Sequence, residues 1–271
     1  LMDTIAQSLS GTEAGQIYQN LPAHLQSIFL VVIVAMLVVT LFAFLVSGYL
    51  ALRYVKYNRR QDSCGLNGEQ VARRVLDSAG LSDIEVSKSG SLLFGNSYSH
   101  YFKKVRLRRR TIEKTSVASL GMGAQKASLA VLDREGDPDM KVRNKFAVIG
   151  MMGPIAFIPL LVVGAVLDII INNGQGNVTL LACGIGIIFY VLAFVFQFRT
   201  LKTEKKAQDR ACQILAANGM ATDEEIRMLR KLFRLYNIEY INNMVLSMLE
   251  ILYRALQIMA AVNGSGSKSS D

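Results

Sequence analysis

Residues 28–46 read IFLVVIVAMLVVTLFAFLV, and the reading of this run decides the fold class. It belongs to an uncharged stretch from Ile28 to Leu52. A helix needs about 20 mostly apolar residues to cross the hydrocarbon of a bilayer, so the stretch reads as a membrane span. A secretory signal is the weaker reading, because no basic residues precede the run and it is too long for the apolar part of one.

Two more stretches repeat the pattern. Phe146–Ile171 carries a single acid, Asp168, close to one end, and Val178–Phe198 carries no charge. Half of the 271 residues are hydrophobic while the formal net charge is +9. That combination fits a small multi-span membrane protein with basic soluble portions better than a soluble domain. Residues 1–27 and the connection NNGQGN (172–177) contain no Lys or Arg, which fall in 53–145 and after 198. By the positive-inside rule both basic regions are expected on the cytoplasmic or equivalent side, with the N-terminus and the 172–177 connection outside. The expected order is an outward segment 1–27, a span 28–52, a soluble domain 53–145, spans 146–171 and 178–198 around the outward loop, a helical region 199–262 and a flexible tail 263–271.

The soluble parts are punctuated by local signals. RYVKYNRR (53–60) either touches anionic headgroups or only anchors topology. Asn67 with Gln70 makes a capping box ahead of EQVARRVLDSA, and Gly80 stops that helix. DIEVS (83–87) and SLLF (91–94) read as strands separated by the turn-forming KSG. In KKVRLRRR (103–110) Val105 and Leu107 share one face, and the basic residues, Arg106, Arg108, Arg109 and Arg110 among them, dominate the rest. A solvated edge strand is expected there, since Lys and Arg discourage edge-to-edge pairing; a patch for anionic lipid or nucleic acid is the alternative. Thr115 or Ser116 caps the helix that contains GMGAQKASLAVLD (121–133), and DREGDPD (133–139) ends it. Pro154 and Pro159 are expected to kink the second span. TEKKAQDRACQILAAN (203–218) reads as a helix stopped by Gly219, and Thr222 with Glu225 caps the last helix.

That last helix, to about Val262, carries Glu239, Asn242, Asn243, Ser247, Glu250, Arg254 and Gln257 as one polar stripe. Glu250 and Arg254 are spaced as an i,i+4 ion pair. A lipid-facing span would avoid such a stripe, so the helix either lies in the interface or inserts with the stripe against protein. Cys64, Cys183 and Cys212 form no CxxC pair and no metal-ligand spacing, and read as free thiols.

Together GLNGEQVARRVLDSAGL (65–81), SVASLGMGA (116–124), KVRN (141–144), DRACQILAANGM (209–220) and DEEIRMLRKLFR (223–234), in this order and spacing, resemble the membrane-bound neutral zinc metallopeptidases of bacteria, the YugP-like family. The resemblance covers about three quarters of the chain, from Gly65 to the last helix. It implies a mostly α multi-span membrane protein: three transmembrane helices, a small α+β metallopeptidase-like domain, and a C-terminal amphipathic or fourth membrane helix. In that family the helix after SVA carries an HExGH motif, with two imidazoles one turn apart on zinc and the Glu between them as general base. Matched residue by residue, Gln125 and Leu129 stand at the histidine positions, Lys126 at the base and Ser128 at the glycine. The family's third ligand is a Glu just after the third span, where this chain has Glu204. The chain's two histidines do not compensate. His24 precedes the first span, and His100 falls in NSYSHYFKK (96–104), where the family has a His-Tyr-Asp-Pro stretch.

Leu has no donor atom, Gln offers a neutral carbonyl, and an ammonium at Lys126 repels Zn²⁺. The expectation is therefore a degenerate member without catalytic residues, metal or cofactor, in which Lys126 faces Glu204 as an ion pair. Its expected role is that of a structural subunit or assembly factor. Other membrane subunits and membrane lipids are the expected partners, through Arg106, Arg108, Arg109, Arg110, Asn242, Asn243, Glu250 and Arg254; neither nucleic acid nor a small-molecule substrate is expected. The alternatives are an active metallopeptidase with non-standard or partner-supplied ligands, and a basic module for membrane surfaces or nucleic acid. The altered helix and a chain beginning at Leu1 lean the compartment towards an organelle of bacterial descent, plastid or mitochondrion, with a bacterial plasma membrane as the other option.

Overall fold

The computed structural model describes residues 2–90, 95–172 and 177–267. The chain is mostly helical and divides into two compact units, one of residues 1–44, 147–197 and 242–271, the other of 45–146 and 198–241.

The first unit draws on the apolar helices. α1 (Met2–Ser8) and α2 (Glu13–Asn20) precede α3 (Ala23–Arg59), which contains the opening run. α7 (Pro138–Asn172), α8 (Asn177–Ala217) and α9 (Asp223–Ser267) follow later in the chain. Ile17, Leu21, Phe29, Val32, Leu256 and Ala260 are buried together, with the rings of Phe29 and Tyr253 stacked at 5.8 Å. Asp168, 3% exposed, accepts the backbone N–H of Val178 at 3.0 Å, which places its carboxylate at the N-terminus of α8, where an anion is favoured. Among the described residues, Ala23–Arg59, Gly184–Ala217 and Asp223–Ala261 are helical stretches long and apolar enough to cross a membrane. Within the expected second span the shorter apolar stretch Val162–Ile171 is described, and α7 runs through both prolines.

The second unit is built around one helix. α6 (Val117–Arg134) is buried on all sides from Val117 to Leu132 except at Lys126. A helix with no solvent face must pack in every direction, and α6 does so with small residues. Against it lie α4 (Gly68–Ser78), a three-stranded sheet, and the parts of α8 and α9 that contribute Ala207, Ala211, Leu215, Leu229 and Leu232 to the core. A Cβ added at Gly123 would lie 2.5 Å from the carbonyl oxygen of Gly68, so the α4–α6 contact requires glycine there. Residues 198–241 therefore complete the same core as 45–146.

The sheet has the order β1-β3-β2, with β1 (Glu85–Lys88), β2 (Ser97–Ser99) and β3 (Lys104–Leu107). β1 runs parallel to β3, pairing Val86 with Val105, and β2 runs antiparallel to it, pairing Tyr98 with Val105.

Several expectations need correcting. β3 is the central strand rather than an edge, because Val105 and Leu107 are fully buried and both backbone edges find partners. Only 104–107 of the basic stretch is strand. Arg109–Ile112 form a short helix, α5, so Arg109 and Arg110 do not share a strand face with Arg106. Residues 97–99, for which no strand is expected from the sequence, pair as β2, whereas SLLF (91–94) lies outside the described residues. The third apolar run and the helix after it are continuous in α8, with no Gly or Pro between Phe198 and Thr203 to break it. The helix α9 reaches Ser267, five residues into the stretch expected as linker, and 268–271 lie outside the described residues. Glu250 and Arg254 do not pair among the described contacts. Arg254 donates to Gln257 at 3.0 Å and lies 5.9 Å from the Tyr253 ring centroid. An exposed i,i+4 ion pair is worth only about 0.3–0.5 kcal/mol, which such neighbours readily outbid.

The caps form where the sequence signals them. Asn67 Oδ1 accepts the N–H of Gln70 at 2.9 Å while the Gln70 side chain accepts that of Asn67 at 3.0 Å. Thr222 and Glu225 exchange equivalent bonds, and of the two candidates Ser116 caps α6. Glu225 is used twice, since it also accepts the backbone N–H and hydroxyl of Ser63 at 2.7 and 2.6 Å.

Candidate functional site

The one interruption in the burial of α6 is the place to look for chemistry. Lys126 reaches from α6 to α8, where its Nζ lies 2.7 Å from Glu204 Oε2. Gln125, one residue earlier and 4% exposed, donates its amide Nε2 to the same oxygen at 2.8 Å. On the other carboxylate oxygen, Arg143 Nη2 of α7 stands 3.8 Å from Oε1. All three charged side chains are largely shielded, at 11, 16 and 14% exposure for Lys126, Glu204 and Arg143. One carboxylate thus serves two cations and an amide.

Leu129, one turn beyond Gln125, is fully buried in the hydrophobic core, and the Ser128 hydroxyl is buried without a partner among the described residues. His100 is not part of this cluster. Its Nδ1 lies 2.5 Å from Asp133 Oδ2 near the end of α6, where Asp133 also accepts from Tyr98 Oη at 2.7 Å and from Asn144 Nδ2 at 2.7 Å. Burial and the bond to Asp133 push the Tyr98 hydroxyl well above its ordinary pKa, so it stays a donor.

A cleft of about 920 Å³ opens beside Lys126 and Glu204. Tyr54 of α3 and Tyr236 and Tyr240 of α9 form part of its wall, and Arg108, Arg109 and Arg110 stand on it as well. The basic residues expected to form one face separate into different roles. Arg106 lies over the Phe102 ring at 5.4 Å, Arg109 pairs with Glu113 at 3.0 Å, and the backbone N–H of Arg108 donates to Asn96. On α9, Asn242 is buried with its Nδ2 unpartnered among the described residues, whereas Asn243, Glu250 and Arg254 are exposed.

Arg143 was not expected at the site, and neither was the charge cluster at the start of α7. There Asp139, 5% exposed, is held by Arg199, Lys202 and Lys206 at 2.8–3.0 Å. Its carboxyl is held at about 2, chiefly by the Lys206 hydrogen bond; burial works against this, and Lys202 adds to it.

The side chains at the positions that the resemblance matches to zinc ligands do not fit that ion. A zinc site wants thiolate, neutral imidazole or carboxylate donors facing an open position. Gln125 turns an N–H inward, Lys126 contributes a cation, Leu129 contributes no donor, and Glu204 is already engaged by Lys126, Gln125 and Arg143. What the arrangement can do is hold three elements, α6, α7 and α8, at one buried charge cluster.

No solved structure matches the chain. It is 28% identical over 200 residues to the "Putative membrane protease YugP" of Bacillus subtilis (strain 168), an overlap of 73% of this chain and 84% of that protein. A family model described as "Putative neutral zinc metallopeptidase" matches residues 30–259, well over half of the chain, and the protein therefore belongs to this family.

Proposed function

We propose that the chain is a catalytically inactive member of its family, serving as a structural subunit or assembly factor of a larger membrane complex. The observation that carries this reading is the Lys126 ammonium 2.7 Å from Glu204, with Gln125 on the same oxygen. An ammonium at the place of the general base cannot accept a proton while charged, and it opposes a divalent cation beside it. The packing around it is kept, because α6 remains the centre of the core whether or not it works as a catalyst. A fold of this kind supplies no activity by itself. Asn243, Glu250 and Arg254, exposed on a helix long and apolar enough to cross a membrane, support a docking role, since polar side chains at such places gain from a protein partner. The reading puts the basic regions on the cytoplasmic-equivalent side of the membrane of an organelle of bacterial descent, plastid or mitochondrion, with a bacterial plasma membrane as the other option.

The test is zinc content, peptidase activity and co-purifying proteins, all on material extracted gently from its native membrane. The expected result is no stoichiometric zinc, no chelator-sensitive peptide hydrolysis, and a reproducible set of partner subunits. One chelatable zinc per chain together with hydrolysis would overturn the reading.

A further inference from the structure

The cleft beside Lys126 holds more positive charge than its own carboxylates balance. Arg108, Arg109, Arg110 and Lys126 line it against Glu204 and Glu239. Arg109 is committed to Glu113, and Lys126 to Glu204. Among the described residues no carboxylate lies within 4.0 Å of Arg108 or Arg110. On the far oxygen of Glu204, Arg143 adds a second shielded cation to that single carboxylate, with its Nε buried and unpartnered among the described residues.

The rest of the wall is apolar or aromatic: Leu50, Met122, Leu201, Tyr54, Tyr236 and Tyr240. Its place along the helices is informative. Ser47, Leu50 and Ala51 occupy the last turns of the uncharged run 28–52, and Tyr54 follows Arg53, the first Lys or Arg of α3. Thr200 and Leu201 follow Arg199, the first charge after the third apolar run. Residues at such transitions stand at headgroup depth, where tyrosine is enriched. Leu45, Leu52 and Val55 beside this wall of α3 are exposed.

We propose that the cleft is a binding site for an anionic phospholipid. The headgroup phosphodiester is taken by Arg108 and Arg110, whose guanidinium forks match phosphate oxygens in pairs, and the acyl chains leave along the apolar side of α3. Charge complementarity calls for an anion, and the apolar wall at the end of a membrane run calls for a tail. An acidic peptide would use only the first of these. The assignment rests on the charges and depth of the cleft, and holds whether or not the chain hydrolyses peptides.

The test uses the full chain purified in a non-ionic detergent. Dihexanoyl phosphatidylglycerol is titrated below its micelle concentration, with dihexanoyl phosphatidylcholine, inorganic phosphate and an oligo-glutamate peptide as comparisons. Tyrosine fluorescence can report binding, because the chain has ten tyrosines and no tryptophan. Saturable phosphatidylglycerol binding is expected, with phosphatidylcholine weaker and phosphate or peptide unable to displace it. The Arg108→Gln/Arg110→Gln variant should bind about thirtyfold more weakly, with an unchanged melting temperature. Equal binding of the two lipids, displacement by phosphate or the peptide, or an unaffected variant would each overturn the assignment. If the double variant melts early, Arg110→Gln alone carries the same comparison, since that side chain makes no hydrogen bond among the described residues.

Discussion

A carboxylate shared by two cations has an asymmetric energetics that mutation can read. Removing Glu204 leaves Lys126 and Arg143 shielded from water together, whereas removing Lys126 leaves Glu204 with Arg143 and with the Gln125 amide. Glu204→Gln is therefore expected to cost about 3–5 kcal/mol, and Lys126→Met clearly less, in denaturant or thermal unfolding of the detergent-solubilised protein. The exchanged pair Lys126→Glu/Glu204→Lys should recover only part of the loss, because its new lysine stands towards Arg143. If both single variants melt like the parent protein, the cluster contributes nothing to stability. The pair is legible in the sequence through the resemblance, which sets Lys126 and Glu204 at positions that meet in that family, and the two side chains lie 2.7 Å apart. Arg143 is not legible in this way, because its partner is 61 positions away and no local pattern links the two.

Elements meet closely at two places that can be tested separately. Gly123→Ala would set a methyl 2.5 Å from the Gly68 carbonyl oxygen and force α4 and α6 apart, at about 1–3 kcal/mol. Gly48→Ala has nothing within 4 Å and sits inside α3, so it should be neutral or stabilising by up to about 1 kcal/mol. Melting temperatures that move alike in the two variants would refute the close-approach account. The start of α7 adds a pH dependence. The folded carboxyl of Asp139 lies at about 2, below its ordinary 3.8, so the stability it contributes is complete above pH 4 and is lost as pH falls through 2. Asp139→Asn should flatten the fall in melting temperature over that window, and parallel curves would speak against it. Legibility varied with range. Capping boxes such as Asn67 with Gln70 are local, and the sequence alone located them. β2 is three residues whose extended form depends on pairing with β3, and the central place of β3 depends on both neighbours, so neither is legible from its own few residues.

At the largest scale the path of α9 decides the topology, since its polar stripe suits either an interfacial or an inserted helix. Its window is the least apolar of the three candidate spans, with mean hydropathy 1.4 against 3.2 for α3. Packing favours insertion. Within one unit Tyr253 stacks on Phe29, Leu256 and Ala260 are buried with Val32, and Gln257 donates to Glu13 at 3.3 Å. Those partners lie at the start of the first apolar run and before it. In the other unit Glu239 accepts from Ser47 and Glu224 pairs with Arg60, near the end of that run and beyond it. Each set of contacts gives α9 a direction opposite to α3. If 28–52 crosses the bilayer, the contacts within the first unit put the end of α9 on the side of the N-terminus. With Cys64, Cys183 and Cys212 replaced by Ser, a cysteine at Ser267 should react with a membrane-impermeant maleimide from the same face as one at Ser10. A cysteine at Lys88 should react only from the opposite face. Labelling of Ser267 together with Lys88 would mean that α9 turns along the membrane surface, and its contacts with α3 would then have to form without a crossing.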